Sequence, residues 1–89
     1  MTKRNDILAE AQDLITGDRA KTYGDAKLNH ERIAAIWSVV LGYSVTPQQV
    51  ALCMAGVKIA RLAETPNHKD SHTDLIGYAA LAWELCDDK

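Results

Sequence analysis

The stretch from Thr46 to Ala63 constrains the fold more than any other part of the chain. Thr46-Pro47-Gln48-Gln49 combines three helix-start signals: threonine as cap, proline at the first helical position where its missing N–H is not needed, and glutamine at the third to return a hydrogen bond. Val50, Leu52, Cys53, Met54, Val57, Ile59 and Leu62 follow, and at helical spacing they cover more than one face. A helix that is apolar on several sides cannot lie with one flank in water. It has to be central in its domain or sit at an interface.

Apolar residues at three- and four-residue steps organise the rest. Ile7, Leu8, Ala11, Leu14 and Ile15 predict a short helix that begins after Asn5 or Asp6 and ends at Gly17. A second helix is predicted from Asp25 to Leu41, with Leu28, Ile33, Ile36, Trp37 and Val40 inward, Lys27, Glu31 and Arg32 in water, and Gly42 as its stop. After the break at Pro66-Asn67, Asp70 or Ser71 is expected to cap a fourth helix running to about Cys86. Its Leu75, Ile76, Leu81, Trp83 and Leu85 again surround the cylinder. The segment from Asp18 to Asp25 lacks an apolar stripe and reads as a loop, and no strand-like alternation or internal repeat is present. These features predict an all-α protein, a compact bundle of about four helices forming one domain over residues 1–89. A chain this short buries only about 60% of its unfolded surface, so self-association is expected to complete it as a homo-oligomer.

Charge and hydropathy exclude several functions. Ten basic against twelve acidic residues, a formal net charge of −2 at pH 7, do not provide the positive field of general nucleic-acid binding. No apolar run approaches the ~20 residues of a membrane span, and the polar start Met1-Thr2-Lys3-Arg4-Asn5-Asp6 does not read as a signal peptide, so a cytoplasmic location is expected. Cys53 and Cys86 sit in apolar helical patterns without a C-x-x-C spacing and read as reduced, buried thiols.

Candidate chemistry lies with polar residues on apolar faces. Lys58 and Arg61 are one turn apart on the third helix, on the side that carries Met54 and Leu62. Asp74 on the fourth is followed at helical steps by Gly77, Tyr78, Leu81 and Leu85. An unpaired carboxylate in such a seam is costly, so Asp74 is expected to meet Arg61 or Lys58 across the two helices, with Tyr78 nearby. Three readings of this cluster remain open. It is a closed ion pair that sets helix register; or Ser71-x-x-Asp74 is a capping box that places the carboxylate at a helix start; or the cluster lines a pocket in which Arg61 and Lys58 meet a phosphate, with Asp70 and Asp74 on a magnesium ion or a sugar hydroxyl. In the loop, Arg19, Lys21, Tyr23 and Gly24 offer two cations, a ring and a flexible turn, enough to stack a base and hold a phosphate, unless Tyr23 instead folds back over the core. His68 and His72 lie near Asp70 without zinc-site spacing, and no nucleophile pattern is present, so no catalytic residue and no cofactor are assigned.

Arg19-x-x-x-Tyr23-Gly24, the helix ending in Ala35-Ile36-Trp37, Lys58-Ile59-Ala60-Arg61 and Asp70-x-x-x-Asp74-x-x-Gly77-Tyr78 together resemble an uncharacterised family of short phage and prophage proteins. The order of features is also similar to that of phage nucleotide-modification-associated domains, and more remotely to the all-helical MazG-type nucleotide pyrophosphohydrolases. Those enzymes hold magnesium with a Glu-x-x-Glu pair on one helix and a Glu-x-x-Asp pair on another. Here no Glu-x-x-Glu occurs, and Glu31 and Asp74 are the remnants of such a set. The resemblance therefore implies a nucleotide-like phosphorylated ligand, held by Arg19, Lys21, Tyr23, Lys58, Arg61, Asp74 and Tyr78, in a protein acting in the host cytoplasm. A magnesium-dependent pyrophosphohydrolase using Asp70, Asp74 and Glu31 is the alternative. A module that only docks on another protein is the third possibility.

Overall fold

Helix starts in this chain are set by short side chains that accept the otherwise unpaired N–H groups of the first turn. The computed structural model describes residues 2–17 and 25–86, and within them four helices form: α1 (Lys3–Thr16), α2 (Ala26–Leu41), α3 (Pro47–Glu64) and α4 (Lys69–Glu84). Asp25 caps α2 by accepting from the N–H of Lys27 at 2.9 Å. The box at Thr46 forms in both directions: the Gln49 N–H donates to Thr46 Oγ1 at 3.1 Å, and the Thr46 N–H donates to Gln49 Oε1 at 2.9 Å. Gly42 closes α2 at φ 80°, a left-handed conformation that costs a residue with a Cβ about 1–2 kcal/mol.

Two helix starts differ from the sequence expectation. Helix α1 begins at Lys3, because Thr2 Oγ1 takes the Asn5 N–H at 3.2 Å and so captures the first turn earlier than Asn5 or Asp6 would. Helix α4 is capped by His68, whose Nδ1 accepts from the Ser71 N–H at 3.3 Å. Ser71 is thereby drawn inside the helix and is 1% exposed, so neither it nor Asp70 is the cap. Asp74 then lies in the second turn, and the capping-box reading of Ser71 and Asp74 does not hold.

Helix α3 lies between α2 and α4, but its remaining face is uncovered among the described residues: Leu52, Val57 and Ile59 are each more than half exposed, so the expectation that no apolar flank of this helix meets water does not hold. One side of it packs on α2 and another, more extensively, on α4, while α1 packs on α4. Gln48 Nε2 donates to the Ala82 carbonyl at 3.2 Å, tying the start of α3 to the end of α4 and fixing the two as antiparallel neighbours. Ser38 does the same for the α2–α3 turn, donating to the Ala34 carbonyl at 2.7 Å and accepting from the Val45 N–H at 2.8 Å. On α4, Gly77 faces α1, where a Cβ would meet Leu14 Cδ2 at 3.6 Å, an ordinary van der Waals contact. Helices α1 and α2 share no extensive seam among the described residues, so the bundle is a folded row, α2, α3, α4, α1.

The core of this row is built from small side chains. Among the described residues, its buried apolar side chains are Ala11, Ala34, Val50, Ala51, Ala55 and Ala82. Alanine at a crossing lets two backbones approach closely, which excludes long side chains from the contact. The inward face of α2 differs from expectation for this reason. His30 and Ala34 are buried, while Leu28, Ile36 and Val40 are exposed. Cys53 is exposed and Cys86 half-buried, which corrects the expectation of buried thiols: the seam side of α3 is taken up by Val50, Ala51 and Ala55.

Removing the cap of the central helix should be felt by the whole row. Thr46→Ala is expected to lower unfolding free energy by about 1 kcal/mol, measured by urea denaturation, whereas Thr65→Ala at the other end of α3 should change it by less than half as much.

Candidate functional site

Lys58 sits on the α3 line that includes Met54 and Leu62, all three half-buried. Its Nζ lies 3.3 Å from Asp74 Oδ2 on α4, with the two side chains 22% and 27% exposed. The expected ion pair across the two helices is present, and Lys58 is the partner. Arg61 is exposed and makes no ion pair among the described residues. Its guanidinium is three positions beyond Lys58 on the same helix, rotated towards solvent, and free to meet an anion.

One turn beyond Asp74 on α4, Tyr78 leans on His30 of α2, the ring centroids 6.2 Å apart at 56°. Sequence reasoning passed over His30, the buried polar residue of α2. It is 6% exposed, and its Nδ1 donates to the Ala26 carbonyl at 2.9 Å, which fixes the proton of a neutral ring on Nδ1. Nε2 is then left as a buried acceptor, and it has no hydrogen-bond partner among the described residues. Such a group costs about 1–3 kcal/mol unless something donates to it. The signal for it in the sequence was a histidine four positions before Ala34 on the inward side of the second helix, visible only once the inward side is known.

His30, Lys58, Asp74 and Tyr78 thus form one chain of neighbours across three helices: an acceptor, a ring, a carboxylate and a cation. Arg19, Lys21 and Tyr23 lie outside the described residues. The covalent chain brings that segment into α2 at Asp25, five residues before His30.

Asp70 belongs to a different place. With Glu10 and Asp13 of α1, and with Lys69 and Thr73, it lines a groove of about 650 Å³ between α1 and α4. Lys69 Nζ bridges to Glu10 Oε1 at 2.7 Å, and this hydrogen-bonded carboxylate raises the ammonium's pKa. Three carboxylates against one lysine make the groove unwelcoming to phosphate. Asp70 faces α1, Asp74 faces Lys58, and Glu31 is exposed on α2; no three His, Cys, Asp or Glu side chains among the described residues gather as a metal-binding group. His68 and His72 are both used locally, the second donating from Nε2 to the Pro66 carbonyl at 2.8 Å.

Residues 6–86 match the profile of a family described as a domain of unknown function, DUF6378. The chain belongs to that family. Relatives include the "Gene 55 protein" of Mycobacterium phage L5, 47% identical over 76 residues that cover 84% of this chain and 49% of that protein. The "Gene 55 protein" of Mycobacterium phage D29 is 45% identical over 82 residues, covering 92% and 54% respectively. The resemblance to a phage protein family is therefore confirmed, and the chain spans about half the length of these relatives. No solved structure matches it. No described helix is long and apolar enough to cross a membrane.

The half-buried pair makes a stability test. Lys58→Met should destabilise by about 1–2 kcal/mol, because it leaves the Asp74 carboxylate unmatched in the seam. Adding Asp74→Leu should restore most of the loss, and a double-mutant cycle by chemical denaturation measures the coupling.

Proposed function

We propose that this DUF6378 domain binds a phosphorylated, nucleotide-like molecule at the α3–α4 seam. The observation that supports the reading is the placement of two contacts one turn apart on α4, Lys58 with Asp74 and His30 with Tyr78, the second including a buried ring nitrogen with no partner among the described residues. Lys58 is held at the seam by Asp74, so its ammonium is oriented before a ligand arrives, and Arg61 adds a second, solvent-facing cation one turn further on. Two cations spaced along one helix suit a phosphate chain, the guanidinium gripping it in a planar fork and the ammonium acting as a point charge.

Phosphate alone leaves His30 unexplained. Its Nε2 needs a donor, and a sugar hydroxyl or a base N–H supplies one where a phosphate dianion cannot. Tyr78 offers a face beside it. Arg19, Lys21 and Tyr23, which precede α2 in the sequence, are the further residues proposed to hold the ligand. In a phage-infected cell such a protein would act in the host cytoplasm, either on the nucleotide pool or by sequestering a signalling nucleotide.

Hydrolysis in the manner of a MazG-type enzyme is less well supported. Magnesium chemistry on a phosphate chain wants several carboxylates around one ion, and here Asp70 and Asp74 serve different seams.

Isothermal titration against nucleoside mono-, di- and triphosphates, cyclic nucleotides, phosphate and pyrophosphate tests the reading. At least one nucleotide should bind, with Arg61→Ala weakening it by about tenfold, equivalent to ~1.4 kcal/mol. Magnesium-dependent release of pyrophosphate would replace binding by catalysis, and silence across the set would overturn both.

His30→Phe separates folding from binding. Losing an unmatched acceptor should leave the melting temperature within a few degrees of the parent, while nucleotide affinity falls and any affinity for pyrophosphate is unchanged.

A further inference from the structure

Both histidines of the α3–α4 turn are hydrogen-bonded, but only one is bonded in a way that a proton would break. Backbone bonds set the turn: the His68 N–H donates to the Thr65 carbonyl at 3.1 Å, and the His72 N–H donates to the His68 carbonyl at 3.4 Å. The His68 ring then turns Nδ1 to the first turn of α4. That nitrogen accepts the Ser71 N–H at 3.3 Å and lies 2.7 Å from Ser71 Oγ. A backbone N–H only donates, so Nδ1 carries no proton and a neutral ring has its hydrogen on Nε2. The Ser71 amide belongs to the N–H groups of a helix start that have no carbonyl behind them, and with Ser71 1% exposed, water does not reach it instead.

Thr2, Asp25 and Thr46 cap the other three described helices through oxygens that stay acceptors at any pH near neutral. At α4 the acceptor is an imidazole, the side chain that takes up a proton in this range. A protonated Nδ1 can still point its hydrogen at Ser71 Oγ, but the Ser71 N–H then has no acceptor, and a positive charge sits at the end of the helix that disfavours it. His72 behaves differently. Its Nε2 donates to the Pro66 carbonyl at 2.8 Å, a bond that the neutral and the charged ring both make. The other charged groups at this end of the bundle are Asp6, Glu10 and Asp13 of α1, Arg61 and Glu64 in the last turn of α3, and Lys69 and Asp70 of α4. Carboxylates, lysines and arginines keep their charge through the range in which imidazoles titrate.

We propose that His68 is a proton-sensitive latch on α4: its neutral ring holds the first turn of the helix through Ser71, and protonation releases that turn. The sign follows from which form makes the bond. The latch is fully closed where the imidazole is neutral and opens as pH falls through about 6.5, the ordinary histidine range. Lys69, the next residue, bridges to Glu10, so the turn that loosens also carries the charge tie between α4 and α1. The latch shares no residue with the contacts of Lys58, Asp74, Tyr78 and His30, and it stands whether or not a nucleotide binds.

Nuclear magnetic resonance on the 89-residue chain tests this in two ways. Long-range proton–nitrogen correlation spectra at about pH 8 should show neutral His68 with its hydrogen on Nε2. This readout needs no variant. Amide exchange supplies the second, and because the chain holds other histidines it is read locally, as the protection factor of Ser71 divided by that of Ala55 in α3. From about pH 8 to about pH 5 the ratio should fall about fivefold, the loss of one cap. In His68→Asn, where a side chain that does not titrate takes over the cap, it should stay constant within about twofold, while His72→Gln should fall as the natural chain does. A neutral His68 with its hydrogen on Nδ1 overturns the proposal. So does a ratio that ignores pH in the natural chain, an equal fall in His68→Asn, or a fall that disappears in His72→Gln.

Discussion

The position of α3 between α2 and α4 is the constraint on which the rest of the structure depends. Its apolar residues cover too much of the cylinder to be satisfied by one neighbour, and its two contacts bury Val50, Ala51 and Ala55 while Leu52, Val57 and Ile59 stay exposed. Close approach has a consequence for every helix in the row. Alanine-lined crossings save distance but bury little area per residue, so the larger aliphatic side chains are displaced to the flanks. The exposed stripe on α2 and the thin core are two results of the same packing choice.

The same crossing places the charged residues. Lys58 is on the flank of the α3–α4 contact, where its stem covers apolar surface and its ammonium reaches Asp74. With each side chain about a quarter exposed, the pair keeps some hydration and avoids the full desolvation penalty of a sealed ion pair. Its worth to folding is therefore modest. Its worth to a ligand is orientation, since a lysine held by a carboxylate has less rotamer freedom to lose when an anion binds. His30 differs in kind. Its Nε2 is a buried acceptor with no donor among the described residues, and such a group costs stability unless a water, another side chain or a ligand donates to it.

Much of the fold was legible in the sequence because helix signals are local. The Thr46 box, the Gly42 stop and the Asp25 start all depend on atoms within four residues of one another. Errors at Thr2 and His68 arose where two possible caps competed a few residues apart, and the earlier one captured the turn in both cases. For the candidate site, periodicity placed Lys58, Arg61, Asp74 and Tyr78 on the right helices, and the cost of an unpaired carboxylate required a cation opposite Asp74. It could not choose between Lys58 and Arg61, which are separated by only about 60° around the helix.

The chain's own sequence determined the four helices, the central role of α3 and the need for a charge pair between the last two helices, because each follows from side-chain spacing along a single cylinder. Tertiary structure alone decided that Lys58 is the partner of Asp74, that His30 is buried with an unmatched nitrogen, and that Ile36 and Val40 face outward. Spacing defines angles about a helix axis, but which angle is inward depends on where the neighbouring axes lie and how closely they approach. In a row of helices crossing on alanines, that direction is set by the smallest residues rather than by the most hydrophobic ones.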